Sequence, residues 1–99
     1  MTIGEMTEKA NQRMLGFDLE MLTNAYERMW VDFFYTKRNI TLNNCAQMYI
    51  IGLAMGKFDS ARGDDMCAGA RMFAKDMGFP AKDFQEELEM ILINTNKKD

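Results

Sequence analysis

The chain has 99 residues, a length typical of one domain. Its composition, with 47% hydrophobic and 27% charged residues, is that of a soluble globular protein. The net charge of −3 disfavours nucleic-acid binding, which generally needs a concentrated basic surface. The chain contains no histidine, so the commonest general base and the commonest zinc ligand are missing. We therefore expect neither a metal site nor a cofactor.

Cysteine content and apolar runs indicate the cellular setting. Cys45 and Cys67 are too few for a disulfide framework, and we expect both to be buried as free thiols. The first ten residues contain acids and no apolar core, which is unlike a signal peptide. The longest apolar run falls short of the roughly 20 residues that span a bilayer. These features predict a cytoplasmic protein with no membrane partner.

The first predicted helix covers Ile3 to Leu15. Thr2 and Glu5 have the spacing of a capping box, in which each side chain accepts a backbone N–H of the other residue. Apolar residues recur at helical spacing behind this cap. Gly16 follows, and glycine commonly ends a helix in a left-handed conformation.

The second predicted helix runs from about Asp18 to Arg38, with Asp18 as the N-cap and Asn39 as the terminator. Its apolar residues follow alternating steps of four and three, which predicts a seam packed on a partner helix at a shallow angle. The seam consists of Leu15, Leu19, Leu22, Tyr26, Met29 and Phe33.

The third predicted helix, Leu42 to Gly56, has no charged side chain along its whole length. A helix that is apolar on every side must be surrounded by other elements, so we place it at the centre of the domain. Gly52 and Gly56 lie four residues apart on one face of it. Two explanations stay open: a neighbouring helix approaches closely at the glycines, or Gly56 simply ends the helix.

The fourth predicted helix covers about Asp64 to Met77, and the polar link from Phe58 to Asp65, with Asp59, leads into its first turn. Three aspartates invite a calcium interpretation, but their spacing does not match a calcium loop. We expect instead that Asp59 or Asp64 caps the helix. Gly78 ends it.

The last predicted helix begins at Phe79–Pro80 and reaches about Asn94, and a frayed tail covers about residues 95–99. Good helix formers dominate the chain, which has a single proline. The predicted fold is therefore an all-α single domain, a compact bundle of four to five helices around the central apolar helix.

Trp30, Phe34 and Tyr35 fall partly outside the seam of the second helix. They are buried if that helix lies between two neighbours. Otherwise they form an exposed patch, and because Trp and Tyr are enriched in binding hot spots, this is the candidate interface with a protein partner or with a second copy of the chain, as a homodimer. A second candidate is a basic nucleic-acid face made of Lys57, Arg62, Arg71 and Lys75.

The chain has no chemical motif of the enzyme classes we considered. The cysteines lack a histidine partner, and the stretch from Gly52 to Lys57 lacks the length and the hydroxyl residue of a phosphate-binding loop. We therefore predict a non-enzymatic interaction protein that binds and regulates a protein partner. Chains of this kind are frequent among phage and mobile-element inhibitors of host systems, which is an association and not a physical argument. The alternatives are a homodimeric nucleic-acid-binding regulator and a structural subunit of a larger assembly.

Overall fold

A computed structural model describes residues 1–94, and they form five α-helices. These are α1 (Ile3–Arg13), α2 (Leu19–Phe34), α3 (Leu42–Met55), α4 (Ser60–Asp76) and α5 (Ala81–Ile93). The predicted all-α fold is confirmed. The frayed tail predicted for about residues 95–99 lies outside the described part of the chain.

Helix α3 is the centre of the bundle, as its apolar sequence predicts. It packs against α1, α2, α4 and α5, and every residue from Met48 to Met55 is buried. The larger core cluster joins α3 to α1, α4, α5 and Phe33 of α2. In a second cluster, Leu22 of α2 and Met66 of α4 pack against Ile51 and Met55. Among residues 1–94, no charged side chain is buried.

Helices α3 and α4 cross at glycines. A Cβ atom on Gly52 would lie 2.8 Å from the Sγ of Cys67, and a Cβ on Gly63 would lie 2.9 Å from the Gly52 carbonyl oxygen and from the Cα of Gly56. Such distances are too short for a carbon atom, so only glycine permits this approach. Both explanations offered for the glycines hold, because Gly56 is also the C-cap of α3.

Side-chain caps place the start of four helices. The side chains of Thr2, Asp18, Thr41 and Asp59 each accept a backbone N–H three residues ahead, at 3.1, 2.8, 3.1 and 3.1 Å. The capping box of Thr2 and the N-cap at Asp18 are as predicted. Because Asp59 is the cap that forms, α4 begins four residues before the predicted start, and most of the predicted polar link is helical.

Two predictions for α1 and α2 are wrong in detail. Helix α2 ends at Phe34 and not near Arg38, because the chain enters the left-handed region at Lys37, with φ of 55°. Within the seam, Leu22 and Phe33 are buried, and Tyr26 and Met29 are half-buried. Leu15 lies between α1 and α2 and is 80% exposed, and Leu19 in the first turn of α2 is 41% exposed, since no element packs over this end of the seam closely enough to bury them.

Candidate functional site

The outward side of α2 is apolar at its C-terminal half. α3 is the helix that α2 packs against most closely, and Leu22 and Phe33 are buried on that side. Val31, Phe34 and Tyr35 are 47%, 45% and 70% exposed. Complete burial of an exposed apolar side chain is favourable by roughly 1.5–3 kcal/mol. Contact with a partner that covers the exposed parts of these side chains would therefore be favourable.

Trp30, Phe34 and Tyr35 form one aromatic cluster. The Trp30 and Phe34 rings stack with centroids 4.4 Å apart, and the Tyr35 ring lies edge-on at 6.0 Å from Trp30 and 5.2 Å from Phe34. Trp30 also meets Phe73 of α4 edge-on at 6.1 Å. Trp30 is therefore half-buried between two helices, whereas Phe34 and Tyr35 project outward. The cluster is thus neither fully buried nor fully exposed, and its role as an interface stays a prediction.

Beside the cluster lies an open groove of about 550 Å³ between α2 and α4, which we call the α2–α4 groove. It is lined by residues of these two helices: Thr23, Tyr26, Glu27, Trp30, Val31, Arg62, Asp65, Met66 and Gly69. The groove and the aromatic cluster share Trp30, so they form one continuous surface.

Tyr26 forms the floor of the α2–α4 groove. Its hydroxyl donates a hydrogen bond to the carbonyl oxygen of Met66 at 3.1 Å. A Cβ on Gly69 would collide with the Tyr26 hydroxyl oxygen, so the glycine makes room for the phenol. Burial raises the pKa of Tyr26 to about 12, which keeps the hydroxyl protonated and able to donate. This hydrogen bond therefore joins the α2 wall to the α4 wall at the floor of the groove.

Three charged side chains line the groove, and their charges do not balance. Arg62 donates to the Thr23 hydroxyl at 3.4 Å, while Glu27 and Asp65 are both exposed. Two carboxylates against one guanidinium give the groove a net charge of −1 at neutral pH. Sequence reasoning missed Glu27 and Val31, although they lie seven and three residues before Phe34, the spacing that places residues on one helix face.

The four residues of the predicted nucleic-acid face do not lie together. Arg62 reaches toward α2, whereas the guanidinium of Arg71 lies 4.8 Å from the centre of the Tyr49 ring and 5.4 Å from that of Phe84, on the side of α3 and α5. Lys75 lines the same cavity as Arg71. The ammonium of Lys57, just before α4, lies over the ring of its neighbour Phe58, at 5.1 Å. The structure thus brings together two of the four cations.

The two cysteines are free, and their surroundings disfavour the thiolate. Burial raises the pKa of Cys45 to about 11 and that of Cys67 to about 12. Thiolates are the reactive form, so these thiols are poor nucleophiles near neutral pH. In the described range 1–94, no three Cys, Asp or Glu side chains come close enough to hold a metal ion. Asp59 acts as the cap of α4.

No protein-family model, curated protein or solved structure matches this chain. None of the helices in residues 1–94 combines the length and the hydropathy needed to cross a bilayer.

Proposed function

We propose that this protein is a non-enzymatic, cytoplasmic regulator that binds an amphipathic helix of a partner protein in the α2–α4 groove. The observation that supports this proposal is the continuity of the groove with the exposed aromatic cluster. Trp30 belongs to both, and its ring packs edge-on against Phe73 of α4. A half-buried aromatic anchor at the centre of an apolar surface is the usual arrangement of a binding hot spot.

The dimensions of the groove favour a helix as the occupant. Its α2 wall runs from Thr23 to Val31, a rise of eight residue steps or about 12 Å of helix at 1.5 Å per residue. Its α4 wall, from Arg62 to Gly69, is about 10 Å long by the same measure. Two turns of a partner helix match this length and would bury apolar side chains at positions i, i+4 and i+7.

The charge of the groove favours a basic flank on the partner helix. Glu27 and Asp65 stand at the groove and neither forms an ion pair within residues 1–94. A lysine or arginine beside the apolar stripe of the partner would meet these carboxylates. Such charge complementarity chiefly raises the association rate and the specificity of binding. A partner helix held in this way is withdrawn from its other contacts, which is how binding would regulate the partner.

The test compares two charge insertions at exposed apolar positions. Val31→Asp places a carboxylate in the groove, whereas Met90→Asp places one on α5, where the side chain is 60% exposed and does not line the groove. Nuclease-treated host lysate is passed over each tagged variant, and retained proteins are identified by mass spectrometry. The captured protein is then purified, and its affinity for each variant is measured by calorimetry.

We expect a partner that binds wild-type and Met90→Asp protein with affinities within a factor of two. Val31→Asp should bind it at least tenfold more weakly, because a desolvated carboxylate would face apolar side chains. Equal binding by Val31→Asp would overturn the proposal. If the lysate instead yields only this chain, and light scattering shows a dimer that Val31→Asp abolishes, the occupant of the groove is a second copy of the chain and not a partner helix. Retention of a protein from untreated lysate but not from nuclease-treated lysate would favour the nucleic-acid alternative.

A further inference from the structure

A second cavity lies on the opposite side of α4 from the α2–α4 groove, against the start of α5, and we call it the α4–α5 cavity. It has a volume of about 340 Å³. Its lining consists of two cationic and four apolar residues: Arg71, Lys75, Ala74, Phe79, Ala81 and Phe84. Small-molecule sites commonly combine an apolar lining with a few convergent polar groups, and this volume is at the lower end of their range.

The guanidinium of Arg71 is held in place by aromatic side chains. It lies over the Tyr49 and Phe84 rings, with 4.8 Å and 5.4 Å to the ring centres. One of its nitrogens donates to the Tyr49 hydroxyl at 3.2 Å. The two rings themselves meet edge-on at 5.6 Å, so they form a rigid support. Little side-chain entropy remains to be lost when Arg71 binds a ligand.

Arg71 also keeps unused hydrogen-bonding capacity. A guanidinium carries five N–H donors. Within residues 1–94, the ion pair that forms joins the amino group of Met1 to Glu89, and no carboxylate lies within 4.0 Å of Arg71 or of Lys75. The acidic residues Asp83 and Glu86 of α5 do not line the cavity. At 100° per residue, they lie on the other side of the helix from Ala81 and Phe84.

We propose that the α4–α5 cavity binds a small monocarboxylate with an apolar body. The carboxylate pairs with Arg71 and Lys75, and an aromatic or branched aliphatic body rests on Ala74, Phe79 and Phe84. Planar guanidinium groups bind carboxylates through paired N–H donors, which gives both strength and orientation. A bare phosphate would leave the apolar part of the lining without contacts. This site is independent of the partner interface at the α2–α4 groove.

The experiment uses 3-phenylpropionate as the probe and the neutral 3-phenylpropan-1-ol as its isosteric comparison. Both are titrated into ¹⁵N-labelled protein, and the amide shifts of Phe79 and Ala81 are followed. Two variants on α4 form a matched pair, Arg71→Met in the cavity and Arg62→Met in the α2–α4 groove. Lys75→Met serves as a second cavity variant, because the Lys75 side chain is exposed and its replacement should leave the core packing intact.

We expect saturable amide shifts with the acid and at least tenfold weaker binding of the alcohol. The Arg62→Met variant should bind the acid as the wild type does. Arg71→Met should lose at least tenfold in affinity, since a charge-assisted pair is removed, and Lys75→Met should lose severalfold. Equal affinity for acid and alcohol would overturn the proposal, as would equal losses in Arg62→Met and Arg71→Met. Absence of saturable shifts in the wild type would also overturn it. If Arg71→Met does not fold, Lys75→Met and the two probes decide the matter.

Discussion

The glycine crossing of α3 and α4 makes a prediction that runs against ordinary helix propensity. Replacing a glycine in a helix by alanine normally stabilises that helix by about 1 kcal/mol. At Gly63, however, the new Cβ would lie 2.9 Å from three backbone atoms of α3, namely the Gly52 carbonyl oxygen and the Cα and N of Gly56. Ordinary contacts of a Cβ begin at 3.4 Å, so the two helices must separate by about 0.5 Å.

The cost of that separation outweighs the gain in propensity. Overpacking a core costs about 1–3 kcal/mol, and the upper end applies here because backbone atoms cannot rotate away as a flexible side chain can. Subtracting about 1 kcal/mol for propensity leaves a net destabilisation of about 2 kcal/mol for Gly63→Ala. For a domain of this size, the melting temperature should fall by about 8–16 °C.

Thermal and urea unfolding followed by circular dichroism at 222 nm would measure this effect. The matched control is Gly4→Ala in α1, where the nearest atom to the new Cβ is 3.9 Å away, so the variant should be at least as stable as the wild type. If Gly63→Ala gains stability to the same extent as Gly4→Ala, the close approach of α3 and α4 is not required for packing, and the reasoning fails.

Four further predictions concern individual side chains. Tyr26→Phe removes the hydrogen bond that joins α2 to α4 and should lower the free energy of unfolding by about 1 kcal/mol, whereas Tyr35→Phe, at a 70% exposed ring, should leave it unchanged; equal effects in urea titrations would contradict this. Because the pKa values of Cys45 and Cys67 are raised, Ellman's reagent at pH 8 should react slowly with the native protein and rapidly with both thiols in denaturant. Fast reaction of the native protein would refute this prediction. Folding raises the pKa of both thiols above the ordinary value of 9. The contribution of the buried, protonated thiols to the free energy of unfolding is therefore complete below pH 9 and is lost as the pH rises toward 11–12. Urea titrations across that interval would detect the loss. Asp18→Ala removes the N-cap of α2 and should cost about 1 kcal/mol in the same assay, and an unchanged midpoint would show that the cap is dispensable.

Part of the candidate site was predictable from local spacing. Phe34 is four residues after Trp30, so a helix through both places their rings near one another, as the structure shows. Tyr35 joins these rings from the position just after the end of α2, which helix spacing alone does not predict. The same rule could have separated two of the cations. Arg62 and Arg71 are nine residues apart, which at 100° per residue is half a turn, and they lie on opposite sides of α4.

The groove and the cavity were not predictable in this way. The two walls of the α2–α4 groove come from residues more than 30 positions apart in the chain. The α4–α5 cavity depends on how α4 and α5 pack against each other. The two walls of the α2–α4 groove are joined by the hydrogen bond from Tyr26 to the Met66 carbonyl, and these residues are 40 apart in the chain. The exposure of Leu19 has a similar origin, since its position in the seam is regular but no helix covers it.

The sequence by itself determined the all-α class, the central place of α3 and most of the helix starts. These properties depend on interactions within about four residues or on the apolar character of a whole helix. Only the tertiary structure decided which side of each helix is covered, where Arg71 is held and which aromatic rings remain exposed. Those outcomes depend on how the helices pack against one another. The clearest case is the crossing of α3 and α4 at Gly52 and Gly63, where the absence of a Cβ atom on each residue sets the distance between the two helices.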